Sequence, residues 1–276
     1  MFVQVKQLET HFTMTSTSTT TTAISSDRSV SSLKQRNGVA VPPDEGYSSD
    51  GDSSIPPHSK EQQPEQLYTP WRLAFYDWWV LGVVSTYAWG CSTSKYLLPL
   101  FRANVGKNHL DVGVGTGYYT DPSSVPSTTR LTLIDSEQHA LEVARARSKR
   151  PDATAVVANV LEPLPLKEKY DSVSMYYLLH CIDAPVSEKC RVFSTIKERM
   201  TPDGVLTGAN ILGKGVRDDN FFGAFIREKI TEHGILKNKD DNAYEFEHAL
   251  RQCFHEVETR VVGSIFIFKA QKPKAG

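Results

Sequence analysis

The residues whose types and spacing most clearly suggest chemistry lie in the segment 109–118, HLDVGVGTGY. Asp111 stands near the end of a short apolar run, and glycines follow it at alternate positions, Gly113, Gly115 and Gly117. Glycine has no Cβ, so such a turn bends sharply and lets a ligand approach the main-chain N–H groups. The third glycine comes one residue earlier than in the G-x-G-x-x-G turn that binds a pyrophosphate. The spacing therefore favours a nucleoside that carries a charged amino acid.

A second acid, Asp135, ends the next β-rich run, 130–135. Ligands of open α/β sheets bind at the carboxyl ends of the strands, so Asp135 is expected beside the glycine turn. A carboxylate at that point can accept hydrogen bonds from both ribose hydroxyls. The alternative is that Asp135 caps the following helix, a role that aspartate fills well. The preceding glycine turn favours the ribose role.

The segment 170–182, YDSVSMYYLLHCI, predicts a fourth strand whose end forms the active-site edge. Residues from Tyr176 to His180 would then face a cationic group of the ligand, which aromatic rings and carbonyl oxygens stabilise. His180, with an unperturbed pKa of about 6.5, could take a proton from a substrate hydroxyl. Two other roles stay open for His180: contact with a ligand, and a structural hydrogen bond to nearby backbone.

Hydrophobic periodicity predicts the elements that position these residues. The predicted strands are 109–112, 130–135, 153–158, 171–175 and 204–209, and the predicted helices are 73–84, 92–103, 136–149, 221–233 and 243–253. Two more β-rich segments, 257–262 and 264–268, flank Gly263 and predict an antiparallel addition at the sheet edge. Strands that alternate with helices indicate an α/β fold with a parallel sheet covered on both sides.

Composition divides the chain into three predicted regions. Residues 1–66 are rich in Ser, Thr and Pro, and they predict a disordered tail because they cannot bury enough apolar surface to offset chain entropy. Residues 67–107 concentrate aromatic side chains and predict a helical cap. Residues 108–271 predict the nucleoside-binding core.

Bulk properties exclude several classes of protein. The formal net charge of -1 lacks the basic excess that neutralises nucleic-acid phosphates, so no nucleic-acid partner is expected. No apolar run approaches the roughly 18 residues of a membrane span, and the first residues lack the apolar core of a secretory signal. The 4 cysteines form no C-x-x-C pair, which predicts no metal site and fits the reduced thiols of a cytoplasmic protein.

Four stretches resemble the class I S-adenosylmethionine (SAM) methyltransferases: FYD at 75–77, STYAWGC at 85–91, HLDVGVGTGYYT at 109–120 and YLLHC at 177–181. Within that family, residues from about 70 to 269 look like the O-methyltransferases of fungal secondary metabolism. In particular, this segment resembles those acting on polyketides such as the polyene pyrones of the citreoviridin and aurovertin type. Relatives often carry a basic residue near Thr86 and Gly90, and this chain departs from them there.

The resemblance implies a Rossmann-like class I methyltransferase fold with SAM as cofactor. The implied sheet has seven strands, mostly parallel, with an antiparallel C-terminal strand and an N-terminal helical cap. Residues that the resemblance assigns to the cofactor are Asp111, Gly113, Gly115, Gly117, Asp135, Asn159, Val160 and Tyr177. In this assignment Asn159 accepts from the adenine amine and a neighbouring backbone N–H, that of Val160, meets a ring nitrogen. Many members have Asp where this chain has Asn159, and Asn159 could instead serve only the turn.

The aromatic segment before the glycine turn predicts a lid that expels water and offers flat apolar surface to a substrate. Tyr76, Tyr87 and Trp89 are predicted to line the substrate pocket. Trp71, Phe75 and Trp78 are predicted to be mostly core residues, and the helix that contains Phe221, Phe222 and Phe225 is predicted to close the other side of the pocket.

These features predict methylation of a hydroxyl on a small-molecule secondary metabolite, with His180 as the candidate base. The resemblance implies that this metabolite is a polyketide such as a pyrone. Three alternatives stay open: methylation of nitrogen or carbon, a nicotinamide-dependent reductase with a variant glycine loop, and a non-catalytic SAM-fold protein. The short-chain reductases need Tyr with Lys four residues on, and none of the 11 tyrosines has that neighbour.

Overall fold

The computed structural model of the protein describes residues 70–213 and 220–275. The predicted disordered tail, 1–66, lies outside the described residues. The helices are α1 Pro70–Tyr76, α2 Asp77–Ala88, α3 Thr93–Leu97, α4 Leu98–Asn104, α5 Gln138–Ser148, α6 Val186–Lys197, α7 Phe221–Glu232 and α8 Ala243–Cys253. The strands are β1 Asn108–Val112, β2 Arg130–Asp135, β3 Thr154–Val157, β4 Tyr170–Tyr176, β5 Met200–Ile211, β6 Phe254–Val262 and β7 Ile265–Pro273.

The seven strands form one sheet in the order β3-β2-β1-β4-β5-β7-β6. Strands β1 to β5 run parallel, and β7 lies antiparallel between β5 and β6. The predicted α/β, Rossmann-like sheet with an antiparallel C-terminal strand is confirmed. Its order reverses at β1, which pairs with β2 on one side and β4 on the other, so the carboxyl ends of β1 and β4 border the crevice where such sheets bind ligands.

Apolar cores cover both faces of this sheet, as alternation along a strand requires. Phe266 and Phe268 of β7 belong to the core under α6 and α8, whereas Ile265 and Ile267 belong to the core under α2, α3 and α4. The cap helices are therefore packed on the sheet face opposite α6 and α8. This placement brings the cap next to the end of β4, where Tyr176 and Tyr177 join the same core.

Helix α6 was absent from the sequence prediction. Its buried residues, Lys189, Val192, Phe193 and Ile196, have the spacing of one helix face. A lysine at the first of these positions interrupts the apolar stripe, so periodicity alone did not reveal the helix. Strand β5 also begins at Met200, ahead of the predicted 204–209, and its pairing with β4 shifts between Tyr170 and Ser172.

Two aromatic residues of the cap are exposed, contrary to the sequence prediction. Phe75 and Trp78 were predicted to be core residues, but they are 60% and 58% exposed. For Trp78 the reason is that α2 winds with π-type turns: the backbone N–H of Trp89 donates to the carbonyl of Val84, five residues back, at 3.1 Å. A periodicity counted at α-helical spacing therefore assigns the wrong face to the core. Phe75 lies in α1, which is an ordinary α-helix, and its ring meets that of Trp78 at 5.8 Å. The side chain of Trp71 lies outside the described part of the chain.

Helix α7 packs against the end of α2. A Cβ on Gly223 would stand 2.7 Å from the carbonyl oxygen of Ala88, and the amide of Asn220 donates to the carbonyl of Tyr87 at 2.8 Å. Phe222 meets Trp79 edge to face at 6.5 Å, whereas Phe221 is almost fully exposed. The helix does flank the cap, through Phe222 and backbone contacts.

Within residues 70–213 and 220–275, no helix has both the length and the hydropathy that crossing a bilayer requires. The same ranges hold no cluster of three or more His, Cys, Asp or Glu residues arranged to take a metal ion. The cysteines Cys91, Cys181, Cys190 and Cys253 are free thiols.

Candidate active site

The glycine turn after β1 adopts the backbone that only glycine adopts readily. Gly113, Gly115 and Gly117 have φ values of 72°, 52° and 69°. A Cβ on Gly113 would stand 2.8 Å from Cδ1 of Leu178, and one on Gly117 would stand 2.7 Å from Cα of Ala144 in α5. The turn therefore lies close against both the end of β4 and the first helix that follows it.

Asp111 is buried in β1 at the base of this turn. It faces Ser174 across the β1–β4 pairing, and the Ser174 hydroxyl donates to its Oδ1. Burial raises the pKa of Asp111 to about 7, the Ser174 hydrogen bond opposes that rise, and the charge of Asp135 adds to it. Burial thus disfavours the charged form of Asp111, and a nearby cation would stabilise that form.

A buried histidine supports Asp111 from below. Ser174 uses its only hydrogen on Asp111, so Nε2 of His109, 3.0 Å from the same oxygen, must donate to Ser174. Nδ1 of His109 then accepts from Ser172 at 2.8 Å. Burial lowers the pKa of His109 to about 4, which keeps the ring neutral. Hydrogen bonds thus run from Ser172 through His109 and Ser174 to Asp111, and they hold the Asp111 carboxyl group in one orientation.

Asp135 ends β2 beside the turn, where the sequence placed it. Its Oδ2 accepts from the backbone N–H of Gly115 at 3.2 Å and its Oδ1 accepts from the backbone N–H of Glu137 at 3.1 Å. Burial raises its pKa, and the two backbone hydrogen bonds oppose the rise. Asp135 thus joins the glycine turn to the start of α5, and its binding of the ribose stays a prediction.

Asn159 and Val160 follow β3 at the same edge of the sheet. The backbone N–H of Ala158 donates to the carbonyl of Asp135 at 3.0 Å, which ties this turn to the end of β2. Asn159 is exposed, and its Oδ1 accepts from the N–H of Leu161 at 3.1 Å, so it does stabilise the turn. Val160 is buried, which leaves its role in adenine binding a prediction.

Tyr177 follows β4 with a φ of 61°, a conformation that costs a non-glycine residue free energy. Its backbone N–H donates to the carbonyl of Ala209 at 2.7 Å, and its hydroxyl lies 2.9 Å from Oγ of Ser85 in α2. Ser85 itself donates to the carbonyl of Cys91 at 2.7 Å, so Tyr177 is the donor in their hydrogen bond. Hydrogen bonds to both the sheet and the cap therefore maintain the strained backbone of Tyr177.

His180 lies in the single helical turn Leu179–Cys181 and is buried. Its ring meets Tyr177 edge to face at 5.9 Å, and Nδ1 lies 3.1 Å from Oδ1 of Asn210 in β5. Burial lowers the pKa of His180 to about 4, the Asn210 hydrogen bond opposes that change, and the positive charges of Lys189 and Arg227 add to it. The imidazole is therefore neutral at physiological pH.

The three predicted substrate residues occupy different environments. Tyr87 is 65% exposed on the outer face of α2, and Tyr76 is half-buried at the junction of α1 and α2. Trp89 is 3% exposed, with the guanidinium of Arg227 over its ring at 5.0 Å. The structure does not bring them together on one surface, so their shared role in substrate binding stays a prediction.

An ion pair that the sequence interpretation missed connects the cap to the glycine turn. Oδ2 of Asp77 in α2 lies 2.6 Å from Nη1 of Arg147 in α5, and the hydroxyl of Thr116 in the turn donates to Oδ1 of Asp77 at 3.4 Å. The Arg147 guanidinium also lies over the ring of Tyr118 at 5.4 Å. An acid within an aromatic helix was the available signal, but its partner is 70 positions later in the chain.

The described residues at this edge suit a cationic nucleoside. Main-chain N–H groups of the glycine turn and the carboxyl groups of Asp111 and Asp135 lie at the carboxyl ends of β1 and β2, where they offer both hydrogen-bond donors and acceptors. A sulfonium and an ammonium group need such neighbours, and a ribose diol needs a carboxylate. The side chains present therefore fit S-adenosylmethionine.

Known proteins match this chain closely. A family model described as a methyltransferase domain matches residues 110–204. The O-methyltransferase adaD of Aspergillus niger is 57% identical over 224 residues, which cover 78% of this chain and 90% of that protein. The N-methyltransferase vrtF of Penicillium aethiopicum is 57% identical over 210 residues, which cover 76% of this chain and 88% of that protein.

Solved structures match the fold. Human N-acetylserotonin methyltransferase, determined in complex with SAM, superposes with a TM-score of 0.52 at 17% sequence identity, over 74% of this chain and 56% of that one. At this identity the likeness shows the fold alone. The relatives adaD and vrtF, both named methyltransferases, set the nicotinamide-dependent reductase alternative aside. With identity of this extent to adaD and vrtF over most of their length, the chain belongs to the SAM-dependent methyltransferases of fungal secondary metabolism.

Proposed function

We propose that this enzyme transfers the methyl group of SAM to an acidic hydroxyl, phenolic or enolic, of a small-molecule polyketide such as a pyrone. The observation that carries this proposal is the neutral, buried His180 behind the end of β4, with its pKa lowered to about 4. The 57% identity to an enzyme named an O-methyltransferase supports it. We further propose that the protein works in the cytoplasm and takes no nucleic-acid partner, in keeping with its formal net charge of -1.

The cofactor is assigned to the edge formed by β1, β2 and β3. Gly113, Gly115 and Gly117 present main-chain amides, Asp111 faces the charged amino-acid part, and Asp135 accepts from the ribose hydroxyls. Asn159, Val160 and Tyr177 complete the site at the adenine and sulfonium ends. When bound there, SAM supplies an electrophilic methyl group, so no metal is needed for the transfer.

The acidity of the substrate hydroxyl follows from the weakness of His180 as a base. A group with a pKa of about 4 cannot draw the proton from an aliphatic alcohol efficiently, because the driving force for the transfer is far too small. It can accept a hydrogen bond from an enol or phenol, whose proton is already loosely held. His180 then aligns the nucleophilic oxygen for in-line displacement and receives its proton.

The cap contributes by excluding water from this reaction. Tyr177 donates to Ser85 of α2, and Asp77 of α2 pairs with Arg147 and Thr116, so the same helix is anchored at the substrate end and at the cofactor end. Displacement of hydrating water strengthens the electrostatic interactions around a developing charge. We propose that Tyr76, Tyr87 and Trp89 contact the substrate as the cap closes.

Methylation of nitrogen is the second candidate. The N-methyltransferase vrtF is as similar to this chain as adaD is, at 57% identity. A neutral His180 could equally accept a proton from an amide or an amine as the new bond forms. The two functions differ in the nucleophilic atom alone, so matched substrates separate them.

The test uses triacetic acid lactone, an enolic hydroxypyrone, and the aminopyrone that carries nitrogen in place of that hydroxyl. With radiolabelled SAM, we expect the wild-type protein to convert the hydroxypyrone to its methoxy product, identified by mass spectrometry. Methylation of the aminopyrone alone would establish the second candidate instead. A His180→Gln enzyme with full turnover on the hydroxypyrone would remove the base from the scheme.

A further inference from the structure

A buried chain of polar side chains lies behind His180, contributed by four separate segments. Nδ1 of His180 is 3.1 Å from Oδ1 of Asn210 in β5, and Nδ2 of Asn210 is 3.3 Å from Oδ2 of Asp241. Asp241 is paired at 2.7 Å, through its other oxygen, with Nζ of Lys189 in α6. Asn210, Asp241 and Lys189 are 1%, 3% and 0% exposed.

The direction of every hydrogen bond in this chain is determined by groups that can only donate or only accept. The backbone N–H of His180 donates to Oδ1 of Asn210 at 2.8 Å, so that atom is the amide oxygen. Its amide nitrogen donates to the carbonyl of Ile211 at 3.2 Å and to the Asp241 carboxylate. Because Oδ1 can only accept, Nδ1 of His180 must carry the hydrogen, and Nε2 is left with a lone pair. The described residues form no hydrogen bond with Nε2.

Lys189 maintains Asp241 as an acceptor. Its ammonium group lies between the Asp241 carboxylate and the carbonyl of Lys237, at 2.7 Å and 2.6 Å. The backbone N–H of Lys237 in turn donates to the carbonyl of His180 at 2.7 Å, which closes the network on the residue where it began. Buried ion pairs add little net stability, because desolvation of both charges offsets their attraction. Such a pair is better suited to imposing one geometry than to strengthening the core.

We propose that Asn210, Asp241 and Lys189 are positioning residues that hold His180 in the Nδ1-protonated tautomer, with Nε2 directed to the nucleophile of the substrate. This role rests on the proposed function, in which His180 takes the substrate proton. In that step the O–H bond of the substrate breaks and its proton goes to Nε2. The oxygen forms its bond to the methyl carbon as the S–CH3 bond breaks, and the imidazolium keeps its Nδ1–H bond to Asn210 until it loses the new proton to water.

The first test reads the tautomer directly, without any substrate. Protein with isotopically labelled histidine rings is compared by NMR with a His180→Gln variant, whose missing signals identify those of His180. We expect the wild-type ring to show a protonated Nδ1 and an unprotonated Nε2. In Asn210→Leu, which removes the acceptor, we expect the Nε2-protonated form to appear. An unchanged pattern of ring signals in that variant would overturn the proposal.

A charge-conserving swap provides the matched control. In the double variant Asn210→Asp/Asp241→Asn, the new carboxylate accepts from His180, and the new amide donates to it while accepting from Lys189. Net charge is conserved and His180 keeps an acceptor opposite Nδ1, although the hydrogen bond between positions 210 and 241 reverses and the carbonyl of Ile211 loses its donor. We therefore expect the Nδ1-protonated tautomer to return. The single variant Asp241→Asn conserves the shape of the side chain but not the direction of the hydrogen bonds in the network. We expect a mixture of His180 tautomers in it. Loss of the wild-type tautomer in the swap as well would contradict the proposal.

Kinetics then connect the tautomer to turnover. With triacetic acid lactone as the probe, we expect kcat of Asn210→Leu to fall about 10- to 100-fold, part of what a general base contributes. KM for SAM should change little, and the swap should recover kcat to within about threefold of wild type. If His180→Gln is fully active, the proposed function fails while the tautomer result still stands. If His180→Gln is inactive but Asn210→Leu turns over normally with an altered tautomer, the positioning role itself is wrong.

Discussion

Gly117 and Ala144 are packed so closely that a Cβ on Gly117 would stand 2.7 Å from the Cα of Ala144. This contact joins the glycine turn to α5, the helix that follows the end of β2. Because φ of Gly117 is 69° as well, both the backbone conformation and the close approach require glycine. The position of the turn over the crevice depends on this contact.

Substitution Gly117→Ala should therefore displace the turn and weaken cofactor binding by at least about tenfold, which corresponds to 1.4 kcal/mol. Isothermal titration with S-adenosylhomocysteine measures the effect. The matched control is Gly234→Ala: Gly234 also has a positive φ, of 70°, but a Cβ there would meet nothing within 4 Å. We expect the control to lose stability through backbone strain, about 1 kcal/mol, with no change in affinity. Equal affinities of the two variants would contradict the role assigned to this contact.

Asp135 is expected to accept from the ribose hydroxyls in addition to its bonds with Gly115 and Glu137. Asp135→Asn retains one carbonyl acceptor and loses the charge, so the affinity for S-adenosylhomocysteine should fall about 10- to 100-fold, in line with the strength of hydrogen bonds to charged groups. Asp152→Asn is the control, because its carboxylate pairs with Arg150 on the surface. An Asp135→Asn protein with wild-type affinity would leave Asp135 with the capping role alone.

The ion pair between Asp77 and Arg147 should slow release of the cofactor, since it holds α2 over the glycine turn. Asp77→Asn is expected to raise the dissociation rate of S-adenosylhomocysteine about tenfold, the equivalent of 1.4 kcal/mol. Stopped-flow fluorescence of the cap tryptophans measures that rate. Glu232→Gln breaks an exposed ion pair with Lys229 at the end of α7 and should leave the rate unchanged. An unaltered rate in Asp77→Asn would show that the cap opens without breaking this pair.

Burial of His180 predicts a specific pH dependence of stability. Its folded-state pKa of about 4 lies below the ordinary value of 6.5. Between those values the unfolded chain binds a proton that the folded chain does not, so this residue makes the protein less stable as pH falls. At pH values above about 6.5 the penalty is absent.

His180→Gln removes this titrating group. From about pH 7.5 to about pH 4.5, the free energy of unfolding of the wild type should therefore fall by about 2.5 kcal/mol relative to that of the variant. Urea titrations at the two pH values provide the comparison. His109 and Asp111 titrate in the same range, but they are present in both proteins and their effects cancel in the difference. A difference that is the same at both pH values would mean that His180 titrates normally in the folded protein.

Local sequence patterns were sufficient to predict the elements at the proposed ligand-binding edge of the sheet. The alternate glycines from Gly113 to Gly117 dictate a turn that few other residues permit, and an acid at a strand end dictates where Asp135 must lie in a parallel sheet. Helix α8 and strand β2 begin and end at the predicted residues, because their apolar periodicity is complete within a single segment. The family resemblance also follows from these short stretches, since each carries its function within about ten neighbouring residues.

Contacts between distant segments decided the rest. Asp77 meets Arg147, and His180 meets Asn210, Asp241 and Lys189, because the sheet order and the packing of α6 against α8 bring them together. Helix α6 was not predicted because Lys189 occupies one of its core positions. That charged residue is explained only by the carboxylate of Asp241, which lies opposite it. Trp78 was placed on the wrong face, because the π-type winding of α2 is a property of the packed cap. Phe75 of α1 is exposed beside it. Sequence by itself predicted the sheet edge at which we propose that SAM binds. Tertiary structure alone decided how His180 is held, because hydrogen-bond partners far apart in the chain leave no periodic pattern.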